Sequence, residues 1–295
     1  MEHSIKIITN SSDQWIRLLK QNNLYSQPKT IQLIVDFSET YFLQPYQIVS
    51  LACLIEEYCQ AGIEIQFVKG PYNIDRYLKN IRFYEYWTPG FDRNSFTKLT
   101  VDTTMCLWKV KNTMIDSYAT QAQRYFQNAY FQGKNLDSLH ISLTEVFNNI
   151  FDHSDSAVDG YVLTQCFPKI DRIIISLCDF GVGIPTKINE IWQASGKDKL
   201  SDAAAIRASL VRRISSQSTP QNRGLGLYNL FNIVRKLNGE ISILSNNGVF
   251  NRYASGEIKA YKPNIFFSGT LITITLYKSY LPDIEEEIAN DEFVL

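Results

Sequence analysis

Cysteine, histidine and net charge are all scarce in this chain, and each scarcity narrows the function. The 295 residues hold five cysteines and three histidines. Cys53, Cys59, Cys106, Cys166 and Cys178 are odd in number and form no Cys-x-x-Cys pair, which argues against a disulfide framework and predicts reduced thiols in a cytoplasm. Lys and Arg number 29 against 30 Asp and Glu, a net charge of −1, so the chain has no general attraction for nucleic acid or a membrane surface. No apolar run reaches transmembrane length, and Met1-Glu-His-Ser-Ile-Lys6 lacks the apolar core of a signal peptide, which again predicts a cytoplasmic protein. No repeat or low-complexity tract stands out.

What is present suffices for more than one packed unit. Apolar residues make up 45% of a chain longer than a typical single domain, so a two-domain α/β protein is expected. Charge is uneven only at the end: Asp283, Glu285, Glu286, Glu287, Asp291 and Glu292 stand without a Lys or Arg. Residues 283–295 therefore read as a disordered acidic tail.

Glu145-Val-Phe-Asn-Asn149-Ile-Phe-Asp152-His153 has a helical pattern. At about 100° per residue, Glu145, Asn149 and Asp152 fall within roughly 60° of one another, opposite Leu139, Leu143, Val146, Phe147 and Ile150. A carboxylate can take a proton from water or a hydroxyl, and an amide oxygen one turn later suits magnesium. A solvated polar face has the same appearance. Next, Arg172-Ile-Ile-Ile-Ser-Leu-Cys178 reads as a strand that stops at Asp179-Phe-Gly181-Val-Gly183. Its terminal carboxylate can accept from an exocyclic amino group, and the glycines permit positive φ or close approach of a ligand. A plain turn explains two glycines equally well.

Asn222-Arg223-Gly224-Leu225-Gly226-Leu227 runs into a helix whose apolar set is Leu227, Leu230, Phe231, Val234 and Leu237, with Gly239 expected as its left-handed cap. Free N–H groups at such a helix start favour a phosphate, and Arg223 could add charge-assisted bonds. Gly269-Thr270-Leu-Ile-Thr-Ile-Thr-Leu276 then reads as a strand with a hydroxyl at its entrance.

In this order the four motifs resemble the GHKL ATPase superfamily, over about residues 136 to 277. The resemblance implies a Bergerat-type α/β sandwich at 96–282, a mixed, mostly antiparallel sheet with helices on one face, and ATP with Mg2+ as cofactors. It makes Glu145 the general base and Asn149 the magnesium ligand. Asp152 and His153 extend that row, and Asn149-x-x-x-His153 is similar to the anti-sigma-factor kinases. Asp179 would bind the adenine amino group, with Gly181, Gly183 and Ile184 lining the base and Thr270 at the adenine end. Arg223, Gly224, Leu225, Gly226 and Leu227 would flank the phosphates, and the segment from Pro185 to Arg223 would form a mobile lid. A complete sensor histidine kinase is not expected, since His140 lies on the pocket helix and His3 at the terminus. Eukaryotic-type kinases are excluded too, for no His-Arg-Asp loop or Val-Ala-Ile-Lys strand accompanies Asp179-Phe-Gly181.

Upstream, residues 31–37 and 62–68 read as strands around a helix from Gln47 to Gln60, a βαβ unit. With Val35-Asp-Phe-Ser-Glu leading into the helix, it resembles the STAS fold of anti-sigma-factor antagonists, giving a STAS-like domain at 1–95. Gln44-Pro45-Tyr46-Gln47 stands where those antagonists carry a phosphorylatable serine, so a scaffold, sensor or docking role is implied. Tyr77 to Trp87 reads as a helix or turn, Lys98 to Val110 as one extended strand, and Thr113 to Gln132 as a helix that packs on the pocket helix or on a second subunit in a homodimer.

The expected function is an ATP-binding regulatory protein that hydrolyses ATP or transfers its γ-phosphate to a protein Ser or Thr. The alternative is a non-catalytic, ATP-gated module that captures a protein partner, with a small STAS-like regulator implied by resemblance.

Overall fold

The computed structural model describes residues 1–8, 11–91, 100–101, 103–110, 115–153, 160–211 and 226–284; of Glu145, Val146, Ile150 and residues 148–149 and 151–153 it describes the backbone. The architecture is mixed α/β. Strands β1 (Glu2–Lys6), β2 (Gln32–Asp36) and β3 (Glu64–Val68) alternate with helices α1 (Ser12–Gln21), α2 (Pro45–Gln60) and α3 (Tyr72–Asn80) and pair in parallel in the order β1-β2-β3. The expected βαβ unit is therefore β2-α2-β3. Pro45 opens α2, where its missing N–H costs nothing, and the Gln47 side-chain oxygen accepts from the Gln44 N–H at 2.8 Å.

The chain then enters three short strands, β4 (Thr100–Val101), β5 (Thr104–Met105) and β6 (Trp108–Lys109), followed by helices α4 (Ile115–Ala129) and α5 (Asp137–His153). Strands β7 (Tyr161–Phe167) and β8 (Arg172–Asp179) precede helices α6 (Ile184–Ala194), α7 (Asp202–Ser209) and α8 (Gly226–Lys236). Strands β9 (Glu240–Asn246), β10 (Gly248–Arg252), β11 (Ile258–Tyr261) and β12 (Phe267–Tyr277) complete an antiparallel sheet in the order β11-β10-β9-β12-β8-β7-β5-β4, with β6 also on β7.

Alternation along the strands divides this sheet into two apolar faces. Val162, Ile173, Ile175, Leu177, Ile243, Ile272 and Ile274 pack with Leu139, Leu143 and Phe147 of α5 and Leu230 and Val234 of α8. Tyr161, Leu163, Cys178 and Leu271 point the other way and join the core of the N-terminal segment. Helix α2 is buried along most of its length because the small sheet takes one side of it and β7 and β8 the other. Helices α5 and α8 cover one face, as expected for the helices of 96–282, and α2 of the N-terminal segment covers the other, since alternating strands with two apolar faces cannot leave either in water.

One polar network crosses this second core. The Lys109 ammonium lies 2.9 Å from Glu56 Oε1, and the Tyr161 hydroxyl donates to Glu56 Oε2 at 2.9 Å. Glu56, 1% exposed, is thereby held by β6 and β7 at once.

Other sequence expectations change locally. The single strand over 98–110 is three two-residue strands within its described part: β4 and β5 form a hairpin, and β5 and β6 run on along the same edge of β7 with a one-residue slip in register between them. Helix α4 packs on α5, with Tyr118 edge-on to Phe147 at 5.5 Å and its hydroxyl donating to Thr164 Oγ1 at 3.0 Å. The left-handed residue ending α8 is Asn238 (φ 46°) rather than Gly239, whose N–H reaches back to Val234 O at 2.8 Å. Asp283 and Ile284, placed in the acidic tail by sequence, are held by the loop before α5: Lys134 Nζ meets Asp283 Oδ1 at 2.8 Å and Ile284 N–H donates to Gly133 O. All five cysteines are free, and among the described residues no helix is long and apolar enough to cross a membrane.

Candidate functional site

The site grows from the end of β8. Inward-facing residues alternate along that strand, so Ile173, Ile175, Leu177 and Asp179 share the face covered by α5 and α8. Antiparallel register sets Thr270 of β12 opposite Asp179, and Ser245 of β9 opposite Thr270. Three polar side chains thus form a row across three adjacent strands, at the end of a face that Ile173, Ile175, Leu177, Ile243, Ile272 and Ile274 make apolar. Asp179 is 3% exposed, Thr270 6% and Ser245 0%.

Backbone conformation locks the row in place. The Gly181 N–H donates to Asp179 Oδ1 at 2.8 Å. Gly183 (φ 81°) caps α6, whose first N–H, on Ile184, donates to Ser245 Oγ at 3.0 Å. Ser245 Oγ–H donates to Gly269 O at 2.7 Å and shares a 3.2 Å hydrogen bond with Thr270 Oγ1. Gly269 (φ 102°) crosses the chain so closely that a Cβ there would lie 2.1 Å from Asp179 O. A Cβ on Gly183 would meet Asn246 Oδ1 at 2.6 Å. Both positions therefore demand glycine on two counts, handedness and space.

Burial pushes the Asp179 carboxyl up to about 7, opposed only by the Gly181 N–H. The carboxyl is thus poised near neutrality: ionised, it is a strong acceptor in a dry site; protonated, it is a donor. Behind it, the Cys53 thiol of α2 donates to the Cys178 carbonyl at 3.2 Å, joining the N-terminal segment to the residue beside Asp179. Burial raises both Cys53 and Cys178, so these thiols stay protonated and serve packing.

No protein-family model matches this chain, and no curated protein matches it. Its site must be read from its own residues.

Among the residues singled out by sequence, Asp179, Gly181, Gly183, Ile184 and Thr270 converge on one spot. Gly226 and Leu227 open α8, and Leu227 packs beneath the same sheet face. Glu145, Asn149, Asp152 and His153 lie on the uninterrupted helical backbone of α5, which packs on α8; their side chains lie outside the described residues, as do Arg223, Gly224 and Leu225 altogether.

The expected lid from Pro185 to Arg223 is partly corrected. Its first half is two helices, α6 and α7, held by reciprocal bonds between Asn189 and the Leu200 backbone (3.1 and 2.8 Å). Asp202 Oδ2 also accepts from the Asn247 backbone N–H at 2.8 Å. These buried and paired groups make 184–211 part of the scaffold; residues 212–225 lie outside the described residues.

Ser245 and Asn246 escaped the sequence reading. Asn246 takes a left-handed conformation (φ 52°), and its amide donates to Val182 O and Thr186 Oγ1, each at 3.1 Å. The available signal was Ser245-Asn-Asn-Gly248, a hairpin turn sequence. Its use as a brace depends on β12 lying between β8 and β9, which no local pattern reveals.

Proposed function

We propose that residues 136 to 277 bind Mg-ATP in the manner of the GHKL ATPases, and that the chain is a regulatory protein which hydrolyses ATP or passes its γ-phosphate to a Ser or Thr of a protein partner. The observation that carries this reading is the buried row of Asp179, Thr270 and Ser245 beside backbone that only glycine can form. Such a row fits a nucleobase: adenine presents an amino donor next to ring acceptors, and here a carboxylate stands beside two hydroxyls.

Asp179 accepts from the amino group, while Thr270 fixes the orientation of the base from the neighbouring strand. The start of α8 at Gly226 would offer the N–H groups of a helix N-terminus and the positive end of the helix dipole to anionic oxygens. Asn149 is the residue that would hold magnesium, whose charge neutralises the phosphates when it is bound. Glu145, one turn earlier on α5, takes a proton from a water or hydroxyl nucleophile onto its carboxylate. The N-terminal segment supports a STAS-like scaffold through its β2-α2-β3 unit.

Calorimetry with Mg-ATP on the wild type and Asp179→Asn tests the reading. Saturable wild-type binding, weakened at least about tenfold in the variant by replacing a charged acceptor with a neutral amide, is the expected result. Absence of Mg-ATP binding to the wild type would overturn it. Incubation with γ-labelled ATP and cell lysate then shows whether label ends as free phosphate, on this chain or on another protein.

A gating role without turnover is favoured by a different observation, the contact of α2 with the strand that carries Asp179. In that reading partner affinity differs among ATP, ADP and no nucleotide, because a ligand shifts only equilibria whose states it binds unequally. Equal affinities would exclude it.

A further inference from the structure

Helix α2 packs on β7 and β8, and beside it, over the far part of the same sheet face, a cavity opens between the sheet and α1. There Leu244, Val249 and Leu271 form an apolar floor, and Ile16 of α1 and Tyr46 of α2 a roof. Between them lies a half-open cavity of about 300 Å3, closed at its side by Ile265 and by the ring of Tyr261. This is room for a molecule of one or two rings.

The polar groups sit apart from this floor and are of one electrostatic kind. Ser242 and Thr273 present hydroxyls, Ser242 already donating to Asn251 Oδ1 at 2.7 Å. Among the described residues, Asp13, in the first turn of α1, is the single charged side chain in the lining, which holds no Lys, Arg or His. Asp13 is also spare for helix capping, a task done by Ser11 with Gln14. A small anion would therefore find repulsion and no cation here, whereas a cation would find a carboxylate and two tyrosine rings.

We propose that this cavity is a binding site for a small aromatic amine, its ring system between Leu244, Val249 and Ile16 and its ammonium group at Asp13. The site is separate from the Asp179 row. Strand alternation turns Leu244 and Leu271 into the cavity, while their chain neighbours Ser245 and Thr270 face the opposite side of the sheet. The proposal stands independently of any nucleotide at Asp179.

The test uses three indoles of matched size on the full chain, followed by calorimetry: tryptamine as the cation, indole-3-ethanol as the neutral analogue and indole-3-acetate as the anion. Tryptamine should bind saturably and about tenfold more tightly than indole-3-acetate, the scale of one partly exposed charge pair replaced by repulsion. Asp13→Asn should abolish that preference while keeping the indole-3-ethanol affinity. Ser242→Tyr, at an exposed position that tolerates a larger side chain, should fill the cavity and remove binding of all three. Asp179→Asn should leave tryptamine binding unchanged, which separates this site from the nucleotide reading. The proposal is overturned if tryptamine does not bind saturably, if the anion binds as well as the cation, or if Ser242→Tyr binds tryptamine like the wild type.

Discussion

Replacing Asp179 by Asn removes one ionisable oxygen and almost nothing else, since an amide oxygen can still accept the Gly181 N–H. In the folded chain burial holds this carboxyl at about 7, whereas in the unfolded chain it titrates near 3.9. The folded state therefore keeps a proton that the unfolded state releases, and wild-type stability must fall as pH rises from about 4 to about 7. The difference between the two states is worth about 4 kcal/mol in full, of which more than half develops between pH 5 and pH 8. Burial holds Glu57 near 7 as well, so the wild-type curve alone is ambiguous; subtracting the variant cancels Glu57. Urea unfolding of both proteins at pH 5, 6, 7 and 8 should show Asp179→Asn gaining on the wild type with rising pH, by roughly 2–3 kcal/mol across the range. A difference that stays flat from pH 5 to pH 8 would refute the burial argument. Mg-ATP affinity supplies an independent arm: if the ionised carboxylate receives the adenine amino group, affinity falls about tenfold per pH unit below the folded titration point. Flat affinity beside a pH-dependent stability difference would keep the titration and discard the role in binding.

Glu145→Ala should keep its Mg-ATP affinity and lose turnover by about 100- to 10,000-fold, the range of general-base catalysis; steady-state phosphate release beside calorimetry checks it, and unchanged turnover removes Glu145 from the role. Gly269→Ala forces a Cβ to 2.1 Å from Asp179 O at φ 102°, so a loss of more than about 3 kcal/mol is expected in chemical denaturation. A loss below about 1 kcal/mol would show that the strand crossing is looser than described. Lys109→Ala removes the ammonium that lies 2.9 Å from the buried Glu56 carboxylate, at a cost of up to about 3–5 kcal/mol. Combining Lys109→Met with Glu56→Gln should recover most of that loss, and thermal unfolding of single and double variants tests the coupling.

Periodicity made several elements legible. The stripe Leu227, Leu230, Phe231, Val234 and Leu237 forms the packed side of α8, and Leu139, Leu143 and Phe147 that of α5. The strand ending at Asp179 and the βαβ unit around α2 were readable because burial imposes period two on strands and 3.6 on helices. The three short strands over 100–109 were not, since the hairpin between β4 and β5 and the register slip between β5 and β6 answer to pairing partners rather than to local preference. Helices α6 and α7 were missed because the lid reading rested on the polar run from Ser215 to Asn222; the bonds that fasten Asn189 to Leu200 and Asp202 to Asn247 join residues distant in sequence.

Sequence alone determined which residues could carry chemistry. The carboxylates, amides and glycines of the motifs are properties of composition and spacing. Only the tertiary structure decided what those residues face. The order β9-β12-β8 brings Ser245, Thr270 and Asp179 into one row, and the docking of α2 on the reverse face dries the strand beneath them. Acidity near neutrality at Asp179 follows from that burial, because desolvation depends on neighbours distant in sequence and on nothing within the motif itself.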